Sequence, residues 1–457
     1  MKIPFNTPAR KWMGTAVAVA LAMAYLGLTT CQFAAYWLGN PSRIELTSLT
    51  NLKRAAWLNP GNAEYRDRLG RFYDLVSRDP ASAVGQYKAA VQLNPHSATY
   101  WFDLAGAYQV LGDTLDQTAA LERAIEADSM TPDVAWQAAN LYLVQGENQK
   151  ALREFRVVLA NDSSLAPAAI RFCWRIEPDV DVLLRNVVPP RSDAYIAFLA
   201  LLQDDVNRQL RELTSPSADA DPLSPEQVQN KVAQIKKETG ATFKVWDALV
   251  QTHQTFERRY AYEYFQFLIR QKEVDQAVMV WQQTANSFNL AQYLPSSANL
   301  IVDGNFKLPV LNAGFDWQHQ KQDGVQLTLE SNDSHTGQRA GRSLLIAFDG
   351  PGVVDAGMYQ FIAVQPNTTY SFSGYYKNDE MEGAGGPHLT IQDMYSQAVY
   401  YESHELKDAG FWKLMEGEFT TAPDCKLVVL HVRRLPERSP IRGKLWIGDL
   451  HLTRKPS

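Results

Sequence analysis

Cysteine is scarce in this chain of 457 residues, and the three present, Cys31, Cys173 and Cys425, lie far apart without C-x-x-C spacing. That pattern supports neither a disulfide framework nor a structural zinc site. Cys173 and Cys425 read as small buried apolar side chains. Basic charge is also lacking. The net charge is -6, and no basic, aromatic-interleaved patch stands out, which argues against nucleic acid as a partner. Catalytic signatures are missing as well. His404-Glu405 has no second histidine to make H-E-x-x-H, and neither G-x-S-x-G nor G-x-x-x-x-G-K-[ST] occurs. The glycines from Gly350 to Gly357 have the wrong spacing for a dinucleotide fingerprint. No carboxylate pair can be assigned as acid and base. The expectation is a protein that is not an enzyme and holds no cofactor.

Charge is absent altogether from Trp12 to Leu38, a run of 27 residues rich in Ala, Val and Leu. As a helix it spans about 40 Å, enough to cross about 30 Å of hydrocarbon with some tilt. Lys2, Arg10 and Lys11 precede the run and only Arg43 closely follows it. That bias places residues 1–11 in the cytoplasm and the bulk of the chain outside, in a periplasmic or other extracytoplasmic space. Tyr36 and Trp37 suit the far membrane interface. A cleaved signal peptide is the competing reading, but its apolar region is shorter and ends in a small-residue site that this run lacks. Lipid attachment at Cys31, after Leu28-Thr29-Thr30, is a further alternative. The expectation is a single-pass anchor, 12–38, in the inner membrane.

After the anchor the sequence repeats itself. Leu58-Asn59-Pro60 returns as Leu93-Asn94-Pro95, then as Ala127-Asp128-Ser129 and Asn161-Asp162-Ser163. The Asn/Asp positions step by 35, 34 and 34 residues, and Gly112 and Gly146 are 34 apart. Trp101, Leu104, Ala105 and Tyr108 share one helical face, as do Leu121, Ala124 and Ile125 beyond Gly112. Ala139 and Tyr142, then Ala151, Phe155 and Val158, repeat the pattern around Gly146. A 34-residue unit of two helices resembles the tetratricopeptide-repeat (TPR) family. The helical character weakens after residue 165 but returns in Tyr264, Leu268, Ala277 and Trp281, so the array is expected over about 43–290. Thr214 to Pro225, with Pro216 and Pro222, reads as an exposed loop. The resemblance implies an all-α solenoid whose concave face docks peptides or partner proteins.

Composition changes at Asn299, after a linker at 291–298. Gly, Asn, Asp and Thr become common, and strand-like alternation appears in Val325–Leu329, Thr369–Tyr376 and Lys426–Arg434. Many short strands with turn-rich links argue for an all-β sandwich over 299–457. Four segments in order resemble jelly-roll carbohydrate-binding modules. They are Asn299-Leu300-Ile301-Val302-Asp303-Gly304-Asn305-Phe306, Tyr359-Gln360 with Pro366 to Tyr370, Phe411-Trp412 with Phe419 to Pro423, and Lys444 to Leu452. In that family the first segment is the opening strand, and acidic positions hold a structural calcium. Asp303 and Asp449 keep two of them, while Lys307 and Gly448 depart from the pattern.

A sugar site needs aromatic faces and planar polar side chains. Strand phase points Tyr370, Phe372 and Tyr376 inward and Tyr375 outward. It points Leu389 and Ile391 inward with His388, Thr390 and Gln392 outward, and Val428, Leu430 and Val432 inward with His431 and Arg433 outward. Trp317, Tyr395, Tyr400 and Tyr401 sit near turns. The candidate glycan-binding residues are therefore Tyr375, Gln392, Tyr395, Trp317 and Arg433. The expected protein is a membrane-anchored adaptor with a transmembrane helix, a TPR-like array and a jelly-roll sandwich. It docks proteins and binds polysaccharide in the cell envelope, in exopolysaccharide synthesis or export. The alternatives are an assembly scaffold whose β domain binds protein, and an unrecognised glycan-active enzyme.

Overall fold

The computed structural model describes residues 8–39, 48–214, 224–332, 341–350 and 352–455. Residues 1–7 of the expected tail, 43–47 at the start of the expected array and 215–223 of the expected loop lie outside them. The chain divides into two compact units, Met1–Leu201 and Leu202–Ser457.

The first unit is helical. Helix α1 (Pro8–Gly39) is followed by α2 (Leu49–Leu58), α3 (Ala63–Arg71), α4 (Pro80–Leu93), α5 (Ala98–Leu111), α6 (Thr114–Ala127), α7 (Pro132–Val144), α8 (Asn148–Asn161), α9 (Ala166–Ile176) and α10 (Val180–Asn186). Residues 11–39 of α1 are long and apolar enough to cross a membrane, a test that a signal sequence also passes. The sequence period has a local cause. Asn59, Asn94, Asp128 and Asp162 are the C-caps of α2, α4, α6 and α8. At three of them the side chain then accepts a backbone N–H of the next turn, from His96, from Met130 and Thr131, and from Ser164. An Asx turn of this kind ends one helix and starts the next. Gly112 and Gly146, at φ +75° and +78°, make the turns inside the helix pairs. Between the helices Ala105, Ala107, Ala120 and Tyr108 are buried together with Tyr87 and Leu104.

Helix α11 (Ser192–Thr214) crosses the division between the units. The second unit continues with α12 (Pro225–Gln251), α13 (Arg258–Arg270) and α14 (Val274–Phe288). Pro225 opens α12 at its first turn behind a capping box of Ser224 and Gln227. The Trp246 indole packs 5.2 Å from the Tyr264 ring and donates to Gln283 on α14 at 2.7 Å.

Among the described residues ten strands follow: β1 (Gln318–His319), β2 (Val325–Asn332), β3 (Gly341–Gly350), β4 (Asp355–Ala363), β5 (Thr369–Gly383), β6 (Gly386–Asp393), β7 (Val399–Glu402), β8 (Lys413–Thr420), β9 (Leu427–Leu435) and β10 (Ile441–Arg454). They form two antiparallel five-stranded sheets, ordered β1-β4-β9-β6-β7 and β2-β3-β10-β5-β8. Tyr370, Phe372 and Tyr376 from one sheet and Leu389, Ile391, Val428, Leu430 and Val432 from the other share one core. The inward phases read from the sequence are therefore the buried ones.

Two expectations change. The segment 299–306 is not a ladder strand, because Asp303 and Phe306 stand at φ +48° and +51°. It runs beside β10 through Leu300 N–H to Leu452 O (2.9 Å) and Leu450 N–H to Gly304 O (3.0 Å). The second concerns the break after the last helix, which composition puts at 291–298. The compact division lies far upstream of it, and α12–α14 group with the sheets. Phe265 of α13 meets Phe315 edge-on at 5.0 Å, and Tyr293 O–H donates to Pro309 O at 2.8 Å.

Candidate functional site

The outer face of the β1-β4-β9-β6-β7 sheet carries a row of polar side chains. Cross-strand register aligns Gln318, Tyr359, His431, Thr390 and Glu402. The flanking rows hold Asp355, Arg433 and His388 on one side and Phe361, Val429 and Gln392 on the other. Val428, Leu430 and Val432 fix this arrangement, since burying them forces His431 and Arg433 to the opposite face.

Polar chemistry concentrates at the middle of the row. His431 Nδ1 lies 2.6 Å from Asp355 Oδ2. A carboxylate there favours the Nδ1–H tautomer, which leaves Nε2 as an acceptor. Asp355 Oδ1 is occupied by the Gly357 N–H at 2.6 Å. Among the described residues, His431 Nε2 and the hydroxyl of fully buried Thr390 both lack a hydrogen-bond partner. Helix α13 reaches the same sheet through Gln266, which donates to Gln318 Oε1 at 2.9 Å. Tyr359 donates to that same oxygen at 3.2 Å, and burial raises its phenol pKa.

The five candidate glycan residues do not come together. Gln392 lies one row from Thr390, buried, with its amide donating to Gln397 Oε1 at 2.8 Å. Arg433 stands at the rim, paired with Glu437 at 2.7 Å. Tyr395 serves a different contact: its hydroxyl donates to Ile269 O at 2.9 Å, and the Lys272 ammonium lies 5.3 Å from its ring. Burial, then the charges of Asp393 and Glu273, raise its pKa. Trp317 has no free face. It is 2% exposed, packs 5.0 Å from Phe306 and donates to Asp303 O at 3.2 Å. Its turn-like sequence position conceals a place in the core. Tyr375 belongs to the other sheet, opposite Leu414 and Gly448, on the far side of the sandwich from Gln392. Near it Lys377 lies between the rings of Trp446 (4.7 Å) and Trp412 (5.7 Å).

The calcium expectation does not fit the residues present. Both carboxylate oxygens of Asp303 are engaged by its own turn, accepting from Lys307 N–H (2.7 Å) and Leu308 N–H (3.0 Å). Burial raises the Asp303 pKa, which disfavours the ionised ligand. Among the described residues no group of three His, Cys, Asp or Glu is placed to hold a metal ion with Asp303 or Asp449.

The phase of Thr390 and His431 was legible in the sequence. Their importance was not, because Asp355 lies 76 residues from His431 and no local signal links the two.

No family model matches the chain. Among curated proteins, the tRNA3(Ser)-specific nuclease WapA of Bacillus spizizenii is 21% identical over 178 residues, 38% of this chain. The chain spans about 8% of the length of that relative. Among solved structures, a carbohydrate-binding module described as CBM4 is 15% identical, covering 34% of this chain and 99% of its own, at a TM-score of 0.25. The CBM22-1 xylan-binding domain of Paenibacillus barcinonensis Xyn10C is 11% identical, covering 35% and 98%, at a TM-score of 0.24. The MamA protein is 15% identical, covering 50% of this chain and 98% of its own, at a TM-score of 0.25.

Proposed function

We propose that this chain is a membrane-anchored, non-catalytic adaptor. Helix α1 spans the inner membrane with its N-terminus in the cytoplasm. The repeated helix pairs act as a TPR solenoid that docks partner proteins. The two sheets act as a jelly-roll module that binds polysaccharide on its β1-β4-β9-β6-β7 face, in the synthesis or export of surface polysaccharide.

One observation carries the glycan reading: the adjacent, unpartnered Thr390 Oγ1 and His431 Nε2. Buried polar atoms are nearly always paired. A sugar hydroxyl donates to Nε2, and a second one accepts from Thr390. Tyr359 in the same row offers an aromatic surface, and Arg433 a cationic rim.

The test is calorimetric titration of a polysaccharide panel into the full chain in detergent, with Thr390→Val and His431→Phe beside wild type. Each variant should bind the hit about ten- to a hundred-fold more weakly, from about 1–3 kcal/mol per lost contact. Thr390→Val should melt unchanged, whereas His431→Phe also loses the Asp355 pair and should melt lower. If Tyr375→Ala abolishes binding instead, the site is on the other sheet. If nothing in the panel binds, the scaffold reading replaces this one. Product release from a bound chain moves the protein to the enzymes.

A further inference from the structure

Helix α2 is two-faced. Leu52, Ala55 and Ala56 are buried against α1 and α3, in one cluster with Ala35, Tyr65 and Leu69. Thr50, Lys53, Arg54 and Trp57, spaced three, four and seven apart, form the exposed face. Trp57 is 78% exposed, a large apolar surface to leave in water. Lys53 rests its ammonium 5.9 Å from the Tyr73 ring.

The last turn of α1 is joined to this helix. Ala35 is fully buried, Leu38 packs on the same cluster, and Arg68 donates to Gly39 O at 2.6 Å. A Cβ at Gly39 would lie 2.5 Å from the Tyr65 ring, so the aromatic ring of α3 packs directly on the Gly39 backbone. Next to this joint Tyr36 and Trp37 stand 59% and 77% exposed. The end of the apolar helix, and so the end of the hydrocarbon it fits, packs on α2 through Ala35 and Leu38.

We infer that the exposed face of α2 is a membrane-surface contact, with Trp57 seated at headgroup level beside Tyr36 and Trp37 and Lys53 and Arg54 on lipid phosphates. Indole rings favour that depth because they present an apolar body and one polar N–H. Cationic side chains flanking them gain from anionic headgroups. A solvated helix face has no such need for Trp57. The occupant is a lipid surface because α2 packs through its buried face on the last turns of α1, which carry Tyr36 and Trp37. The inference rests on α1 spanning the membrane, as proposed above.

The experiment uses the full chain in vesicles of phosphatidylethanolamine and phosphatidylglycerol that carry nitroxide-labelled lipid. In a Cys31→Ala background, where Cys173 and Cys425 are buried, a fluorophore is attached to Leu26→Cys, Trp57→Cys or Leu115→Cys in turn. Leu115 on α6 is 84% exposed and serves as the reference. Deep nitroxide should quench the label at 26, shallow nitroxide should quench the label at 57 several-fold more than that at 115, and Lys53→Glu with Arg54→Glu should reduce the difference. Quenching at 26 together with equal quenching at 57 and 115 overturns the inference and leaves the anchor standing. No quenching at 26 overturns the anchor and the inference together.

Discussion

Gly314→Ala should break the joint between α14 and the loop that leads into β1. Gly314 stands at φ +62°, and a Cβ there would lie 2.2 Å from Cε3 and Cζ3 of Trp281 and 2.3 Å from Cη2. Carbon atoms in favourable contact are about 3.5–4.0 Å apart, so one group must move. The indole cannot swing out freely. It is 1% exposed and its N–H donates to Tyr293 O at 3.0 Å. The left-handed backbone costs about 1–2 kcal/mol for alanine. Overpacking a filled site costs about 1–3 kcal/mol more. The expected loss is therefore about 2–5 kcal/mol, read as a lower denaturation midpoint by circular dichroism. The colliding atoms are those of the six-membered ring, which Trp281→Phe withdraws. In that background Gly314→Ala should cost only the backbone strain, which gives a coupling of about 1–3 kcal/mol. An unchanged midpoint in the single variant, or an equal cost in both backgrounds, refutes the claim that ring and loop form one packed contact.

Asp67, 3% exposed, is bridged by Arg71 at 3.0 Å, and the same guanidinium holds Asp103 at 2.7 Å. Burial first, then Asp103, push the Asp67 carboxyl above its usual range. A raised acid binds its proton more tightly in the folded state, so its stabilisation is full below about pH 4 and is lost as pH rises through the raised value. Stability should fall with a slope approaching about 1.4 kcal/mol per pH unit in that window, and Asp67→Asn should flatten the wild-type curve; parallel curves contradict this. Tyr108→Ala, at a site 5% exposed, should cost about 3–5 kcal/mol, and half-buried Trp101→Ala less, in parallel urea titrations. Asn299→Ala removes contacts to Leu450 O, Leu452 N–H and Ile301 N–H, and should lower stability by about 2–4 kcal/mol in the same assay.

What was legible in the sequence was local. The 34-residue period comes from Asx C-caps and left-handed glycines, each acting within a few residues of itself, so spacing alone exposed the helix pairs. Strand phase was equally local: alternation in Thr369–Tyr376 and Lys426–Arg434 identified the residues that face the core between the sheets, Tyr370, Phe372, Tyr376, Val428, Leu430 and Val432. Residue types alone decided the uncharged run from Trp12 to Leu38.

Long-range pairing decided the rest. Alternation says which residues share a face and says nothing about which sheet a strand joins, so Tyr375 and Gln392 were both outward-phase candidates for glycan binding and lie on opposite sides of the sandwich. Trp317 looked like a turn residue because its partners, Phe306 and Asp303, are brought to it only by the turn at positive φ. Helices α12–α14 carry the same periodicity as the repeats, yet they group with the sheets through Phe265, Trp281 and Tyr395, contacts between residues far apart in sequence. Asp355 and His431 meet for the same reason. A one-dimensional pattern records what each residue needs, burial or water, and only the closed tertiary structure records which distant residue supplies it.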